Sequence, residues 1–178
     1  NTVTNWSTPV AVSIDSGSLT GTTTATPSSG VATFSGLGKY GTAGAKTLTF
    51  TSGALTADTQ PFTLIYGAAT QLVVTQAAAT AVNGSAFGTQ PKVEIRDQDG
   101  NTVTGGSDAG QNVTISSSGS TLTGTKVVAA VNGVADFSSA GLTLTGATGT
   151  YTLTYTISSP SNITQTQSIT VAAGVPTQ

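Results

Sequence analysis

Asp97, Asp99 and Asn101, with Asp108 a short way on, form the densest group of oxygen ligands in the chain. Oxygen donors alternating along a tight loop are what a hard cation such as calcium requires. An EF-type calcium loop, however, needs glycine at its sixth position, where Thr102 stands, and Gly100 falls at the fourth. A hairpin turn accounts for the same residues without a metal, because Asp and Asn side chains accept backbone amides and glycine takes positive φ. The turn is the preferred reading, and no residue is assigned to a metal, a cofactor or catalysis.

The remaining chemistry is sparse. Paired carboxylates can hydrolyse glycosides, and the chain has Asp15, Asp58, Glu94, Asp97, Asp99, Asp108 and Asp136 to choose from. Most of these lie at turns or on outward strand positions, where nothing suggests the burial that tunes a carboxyl group for catalysis. A Lys–Asn or Thr–Gln cross-link promoted by a buried acid would suit a tensile protein. Yet Lys92 and Glu94 share the polar face of one strand, and Lys126 sits beside Val127 with no acid partner, so ordinary surface charge is expected. Trp6, the single tryptophan, has two readings: stacking on a sugar or partner, or packing, either as a cap on the end of the core or against a neighbouring domain; packing is preferred. "NWS" (5–7), "NGS" (83–85), "NVT" (112–114) and "NIT" (162–164) fit the N-glycosylation pattern, as chance alone provides in a chain so rich in Asn, Ser and Thr.

The elements that must position these residues repeat every second residue. "VAVSI" (10–14) puts Val10, Val12 and Ile14 on one face; "KVEIRD" (92–97) separates Val93 and Ile95 from Lys92, Glu94 and Arg96. "NVTI" (112–115) points Val113 and Ile115 inward, and "YTLTYTI" (151–157) alternates Tyr, Leu, Tyr and Ile with threonine. β-Branched residues dominate, as a half-buried pleated surface favours. "SSG" (28–30), "QDGN" (98–101), "VNG" (131–133) and "ATG" (147–149) supply the turns. From residue 68 onward about seven strands are expected, near 71–75, 90–97, 111–117, 122–130, 134–138, 150–157 and 165–172. No helical stripe longer than a turn occurs.

Composition narrows the classes further. Charged residues make up 7% of the 178, and threonine about a fifth, so hydroxyls and amides carry solubility. A net charge of −2, with five scattered basic residues, argues against a nucleic-acid partner. The chain has no Cys and no His, which removes disulfides, thiolate metal sites, the commonest general base and the commonest transition-metal ligand. No apolar run approaches the ~18 residues that span a membrane.

Whole phrases recur. "LTGTTTATPSSGVATFSG" (19–36) returns as "LTGTKVVAAVNGVADFSS" (122–139), "KTLTFT" (46–51) as "YTLTYT" (151–156), and "FTLIYGAATQ" (62–71) as "ITVAAGVPTQ" (169–178). The opening "NTVT" (1–4) returns at 101–104, so the offset drifts from 100 there to 107 at Ile169 against Phe62, as short loop insertions produce. A unit of this size fits one antiparallel β-sandwich. The stretch 67–100 has no counterpart before Asn1, so the expected organisation is an incomplete repeat at 1–67, a complete one at 68–174, and the start of a following repeat at 175–178. The missing strands of the first repeat are expected to precede residue 1 in a longer array.

"GAATQLVVTQ", "QPKVEIRDQDGNTVT", "LTGTKVVAAVNGVADFSSAGL" and "GTYTLTYT" resemble the tandem bacterial immunoglobulin-like (Big-type) repeats of large secreted and surface-anchored proteins. The resemblance implies an all-β fold of tandem immunoglobulin-like sandwiches, held by apolar packing since the Cys–Trp–Cys core of antibody domains is absent. It implies an extracellular stalk, adhesin or fibre segment and transfers no catalytic set. The expected partners are neighbouring repeats of the same chain, laterally associated copies, and a glycan or surface protein. The alternatives are a binding module, with Trp6 and the "GGSDAGQ" loop (105–111) at its working end, or an accessory domain of a secreted enzyme or phage particle.

Overall fold

A computed structural model of the chain describes residues 3–160 and 162–174. Residues 175–178, the expected start of a further repeat, lie outside the described residues, as do Asn1 and Thr2 of the opening "NTVT". The protein is all-β; among the described residues its one helical piece is a three-residue 3-10 turn at Asp108–Gly110. The chain divides after Tyr66 into two compact units.

The first unit is one four-stranded sheet with a small annex. Strands β1 (Val10–Ile14), β3 (Thr24–Ala25), β5 (Gly44–Thr51) and β6 (Asp58–Leu64) pair antiparallel in the order β3-β1-β5-β6. Strands β2 (Ser18–Thr20) and β4 (Gly38–Tyr40) pair with each other. Directly opposed residues share a face, so the register Val12↔Phe50, Ile14↔Leu48, Leu48↔Gln60 and Lys46↔Phe62 collects these side chains on one side. Phe34 adds to it, with its ring 5.7 Å from that of Phe50. The face is thinly covered: Val12 and Ala25 are buried, whereas Leu48, Phe50 and Phe62 remain partly open. Strand β6 holds Pro61 opposite Thr47.

The second unit is a two-sheet sandwich. Strands β7 (Gln71–Gln76), β9 (Lys92–Arg96) and β13 (Val134–Asp136) form one sheet in the order β13-β9-β7. The other runs β12-β10-β15-β16-β8, from β8 (Ala81–Val82), β10 (Asn112–Ser117), β12 (Val127–Ala129), β15 (Gly149–Ile157) and β16 (Ile163–Ala172). Strands β11 (Thr121–Thr123) and β14 (Thr143–Thr145) pair at the side. All pairings are antiparallel except β8 with β16, where Ala81 and Val82 run parallel to Val171 and Ala172. One strand region, 71–82, thus serves both sheets in turn, a crossover that closes an immunoglobulin-like sandwich. The alternating apolar residues fill the space between: Val93, Ile95, Phe137, Leu153, Tyr155 and Ile157 are fully buried. The rings of Phe137 and Tyr155 meet edge-on with centroids 6.3 Å apart, the arrangement that aromatic quadrupoles favour.

The expected single strand over 122–130 is instead two, β11 and β12, joined at Gly124. There φ is +95°, and a Cβ would meet the carbonyl oxygen of Gly141 at 2.6 Å. The turn sends the chain from β14 as partner to β10 as partner. Gly21 makes the same positive-φ turn in the first unit, against Gly36. The short strands β8 and β14 add to the seven expected, because two or three residues carry too little alternation to read.

Candidate functional site

The acidic cluster folds into a carboxylate-centred turn. Strand β9 ends at Arg96, and the Asp97 amide donates to the Asn101 carbonyl at 2.9 Å while Gly100 N–H returns to the Asp97 carbonyl at 3.1 Å. Gly100 takes φ of +84°, the left-handed geometry that closes the turn. Asp97 itself is 4% exposed. Its Oδ1 accepts the backbone amides of Asp99 (2.9 Å) and Asn101 (2.8 Å). Its Oδ2 accepts Asn101 Nδ2 (2.9 Å) and the backbone amide of Gly67 (2.8 Å). Burial taken alone would push this carboxyl upward; the hydrogen bonds from Gly67, Asn101 and Asp99 outweigh it, and the group stays below the ordinary carboxylate range.

Asp108 does a related job from the "GGSDAGQ" loop. Its Oδ2 accepts the amide of Ala69 at 3.1 Å. Thr70 N–H donates to the Arg96 carbonyl at 2.9 Å, and Gln71 Nε2 to the Asp97 carbonyl at 2.7 Å. Asp97 and Asp108 are therefore brought together on one target, the backbone of 67–71. Each Asp97 oxygen already has two N–H donors, so a metal would have to displace them. Among the described residues no group of three or more His, Cys, Asp or Glu side chains is placed to hold a metal ion. What the arrangement does chemically is clamp backbone amides. The sequence signalled a turn; the reach from Asp97 back to Gly67, thirty residues away, had no local signal.

The other singled-out residues are dispersed. Asp15 accepts the Thr47 amide at 3.0 Å, and Asp58 accepts the amide of Thr59 at 2.9 Å. Lys92 pairs with Asp136 across the β9–β13 register at 2.8 Å. That ion pair and the Ser138 donors hold the Asp136 carboxyl down at about 2. Glu94 accepts both Nε (2.9 Å) and Nη2 (2.7 Å) of Arg96. Lys126 lines a shallow surface groove of about 390 Å³ beside β10, with Ser116, Ser117 and Ser120. Trp6 is half-buried, and its indole N–H donates to Ser52 Oγ at 2.8 Å; Ser52 in turn donates to the Thr8 carbonyl at 3.1 Å.

One buried charge escaped the sequence reading. Lys46 is 8% exposed, and its Nζ donates to Ser16 Oγ (2.9 Å) and Thr42 Oγ1 (3.4 Å). The signal was available: Lys46, Leu48 and Phe50 alternate, so the lysine falls on the apolar side of β5, where the second copy has Tyr151.

No family model matches the chain, and no curated protein does. Solved structures align along most of its length at low identity. A beta-glycosidase from Bacteroides vulgatus aligns over 93% of this chain and 21% of its own, with 15% identity and a TM-score of 0.46. Bacteroides uniformis beta-glucuronidase 3 gives 94% and 21%, with 15% identity and a TM-score of 0.39. The D0-D1 domain of intimin aligns over 92% of this chain and 81% of its own, with 19% identity and a TM-score of 0.35. The chain thus spans about a fifth of the length of the first two enzymes. The immunoglobulin-like, all-β class rests on the sheet orders and pairings themselves. No helix among the described residues is long and apolar enough to cross a membrane.

Proposed function

We propose that the chain is a load-bearing, non-enzymatic segment of an extracellular stalk or fibre built from tandem bacterial immunoglobulin-like repeats. The repeats are 1–67 (incomplete) and 68–174, and their partners are neighbouring repeats and laterally associated copies. The observation that carries this reading is the parallel pairing of β8 with β16. A pull applied at the two ends of the second unit draws these adjacent strands past one another, so their hydrogen bonds are loaded together in shear. The pairing is extended by Asn83 N–H to the Ala172 carbonyl at 3.1 Å.

Single-molecule pulling on the whole chain, held at its ends, tests this. The second unit is expected to rupture in one sharp high-force event, which Asn83→Pro abolishes by removing the amide that donates to the Ala172 carbonyl. Gradual extension without a peak would sink the mechanical reading. The Trp6 indole N–H and the Asp108 loop are already engaged within their own units, so neither end loop favours the binding-module alternative.

A further inference from the structure

In the second unit the inner face of the long sheet is roofed by the segment 67–100, and three contacts define the roof. Gln167 clasps the backbone of Ala78, accepting its amide at 3.1 Å and donating to its carbonyl at 2.6 Å. Ala81 and Val82 lie parallel to Val171 and Ala172. The buried Phe87 donates its amide to the Leu142 carbonyl at 2.9 Å, beside β14.

Each contact has an uncovered counterpart in the first unit, fixed by register. Leu153↔Gln167 corresponds to Leu48↔Gln60, and Gln60 is exposed, with its Nε2 on the Pro61 carbonyl at 3.1 Å. Val171 and Ala172 correspond to Leu64 and Ile65, and Ile65 is 70% exposed. The Leu142–Leu144 edge corresponds to Leu37–Lys39, where Leu19, Leu37, Leu48 and Phe62 line an open groove of about 160 Å³. Finally, "VATF" (31–34) repeats the "VADF" (134–137) that contains β13 but is not a strand, because β13 exists by pairing with β9.

The geometry points to a docking site on the open face of the first unit for one occupant, a polypeptide segment built like residues 67–100 of this chain. Such a segment lays a two-residue strand parallel to Leu64–Ile65, presents a backbone amide and carbonyl to Gln60, seats an aromatic ring in the groove, and gives 31–34 a strand to pair with. A second copy of the chain does not meet these terms, because two identical edges related by a two-fold axis pair antiparallel, not parallel. The site does not depend on whether the chain bears load.

The test is hydrogen exchange on the whole chain with a synthetic peptide of sequence 67–100, alongside a fusion carrying that sequence ahead of the chain. Saturable one-to-one protection of amides in β4, in 31–34 and at Ile65 is expected. It should weaken at least tenfold with Gln60→Ala in the chain or Phe87→Ser in the peptide, while a scrambled peptide gives none. In the fusion the same amides should be protected without added peptide. If neither peptide nor fusion protects them, if the scrambled peptide protects equally, or if protection follows self-association of the chain, the proposal fails.

Discussion

Leu48, Phe50 and Phe62 in the first unit stand where Leu153, Tyr155 and Ile169 stand in the second, in the same strands and the same register. In the second unit all three are buried, and in the first all three are partly open. The strand pairings β3-β1-β5-β6 and β2-β4 recur as β12-β10-β15-β16 and β11-β14. Local sequence is therefore enough to build one sheet twice. Stability is expected to differ, because burial is a property of two facing layers, and a sheet with one face unroofed gains only part of the ~25 cal/mol per Å² that burial supplies.

Mutation of matched pairs sharpens that contrast. Tyr155→Ala removes a fully buried ring and is expected to destabilise the second unit by about 4 kcal/mol, whereas Phe50→Ala in the first unit costs about 1 kcal/mol. Unit-resolved hydrogen exchange under denaturant reads both, and equal losses would break the comparison. Next in size is Asp97→Ala, which strands four N–H donors and is expected to cost about 3 kcal/mol, with the Gly67 and Asn101 amides exchanging first. Gln167→Ala should cost about 2 kcal/mol by leaving both polar groups of Ala78 and the Tyr155 hydroxyl without their partner. Gln60→Ala, in the chain alone, should fall within about 0.5 kcal/mol.

Acid separates the units as well. Asp97 ionises more readily folded than unfolded, so its contribution is complete above the unfolded value near 3.8 and is lost as pH falls through the lower folded one. Asp136 follows the same sign, its share disappearing as pH approaches about 2. Both acids belong to the second unit, so its stability lead should narrow on acidification. In Asp97→Asn the narrowing should be smaller, which denaturant titration at several pH values measures. Lys92→Ala is expected to cost equally little, about 0.5 kcal/mol, because its ion pair with Asp136 faces solvent.

Alternation in "YTLTYTI" and "KVEIRD" made the core legible, since parity alone decides which side of a strand is apolar. The break at Gly124 was not legible, because β-branched residues continue on both sides of it and the crowding comes from Gly141, distant in sequence. The turn at 97–101 could be read from residue types. Its clamp on Gly67 could not, because a backbone amide leaves no mark in a sequence. Lys46 was passed over because a charge is expected outside, although its alternation with Leu48 and Phe50 puts it on the apolar side of β5.

Pro61 gives the open edge of β6 a further property. Proline within a strand is tolerated where its missing N–H faces outward, away from the ladder that β5 completes. Along the free side, β6 thus lacks a donor midway through its seven residues. A long foreign strand laid on this edge meets a gap at Pro61, which resists amyloid-like stacking of exposed, weakly charged chains. A short parallel pairing at Leu64–Ile65 lies beyond that gap and is unaffected. The proline therefore acts as a gatekeeper, guarding against indiscriminate aggregation while leaving one narrow register open.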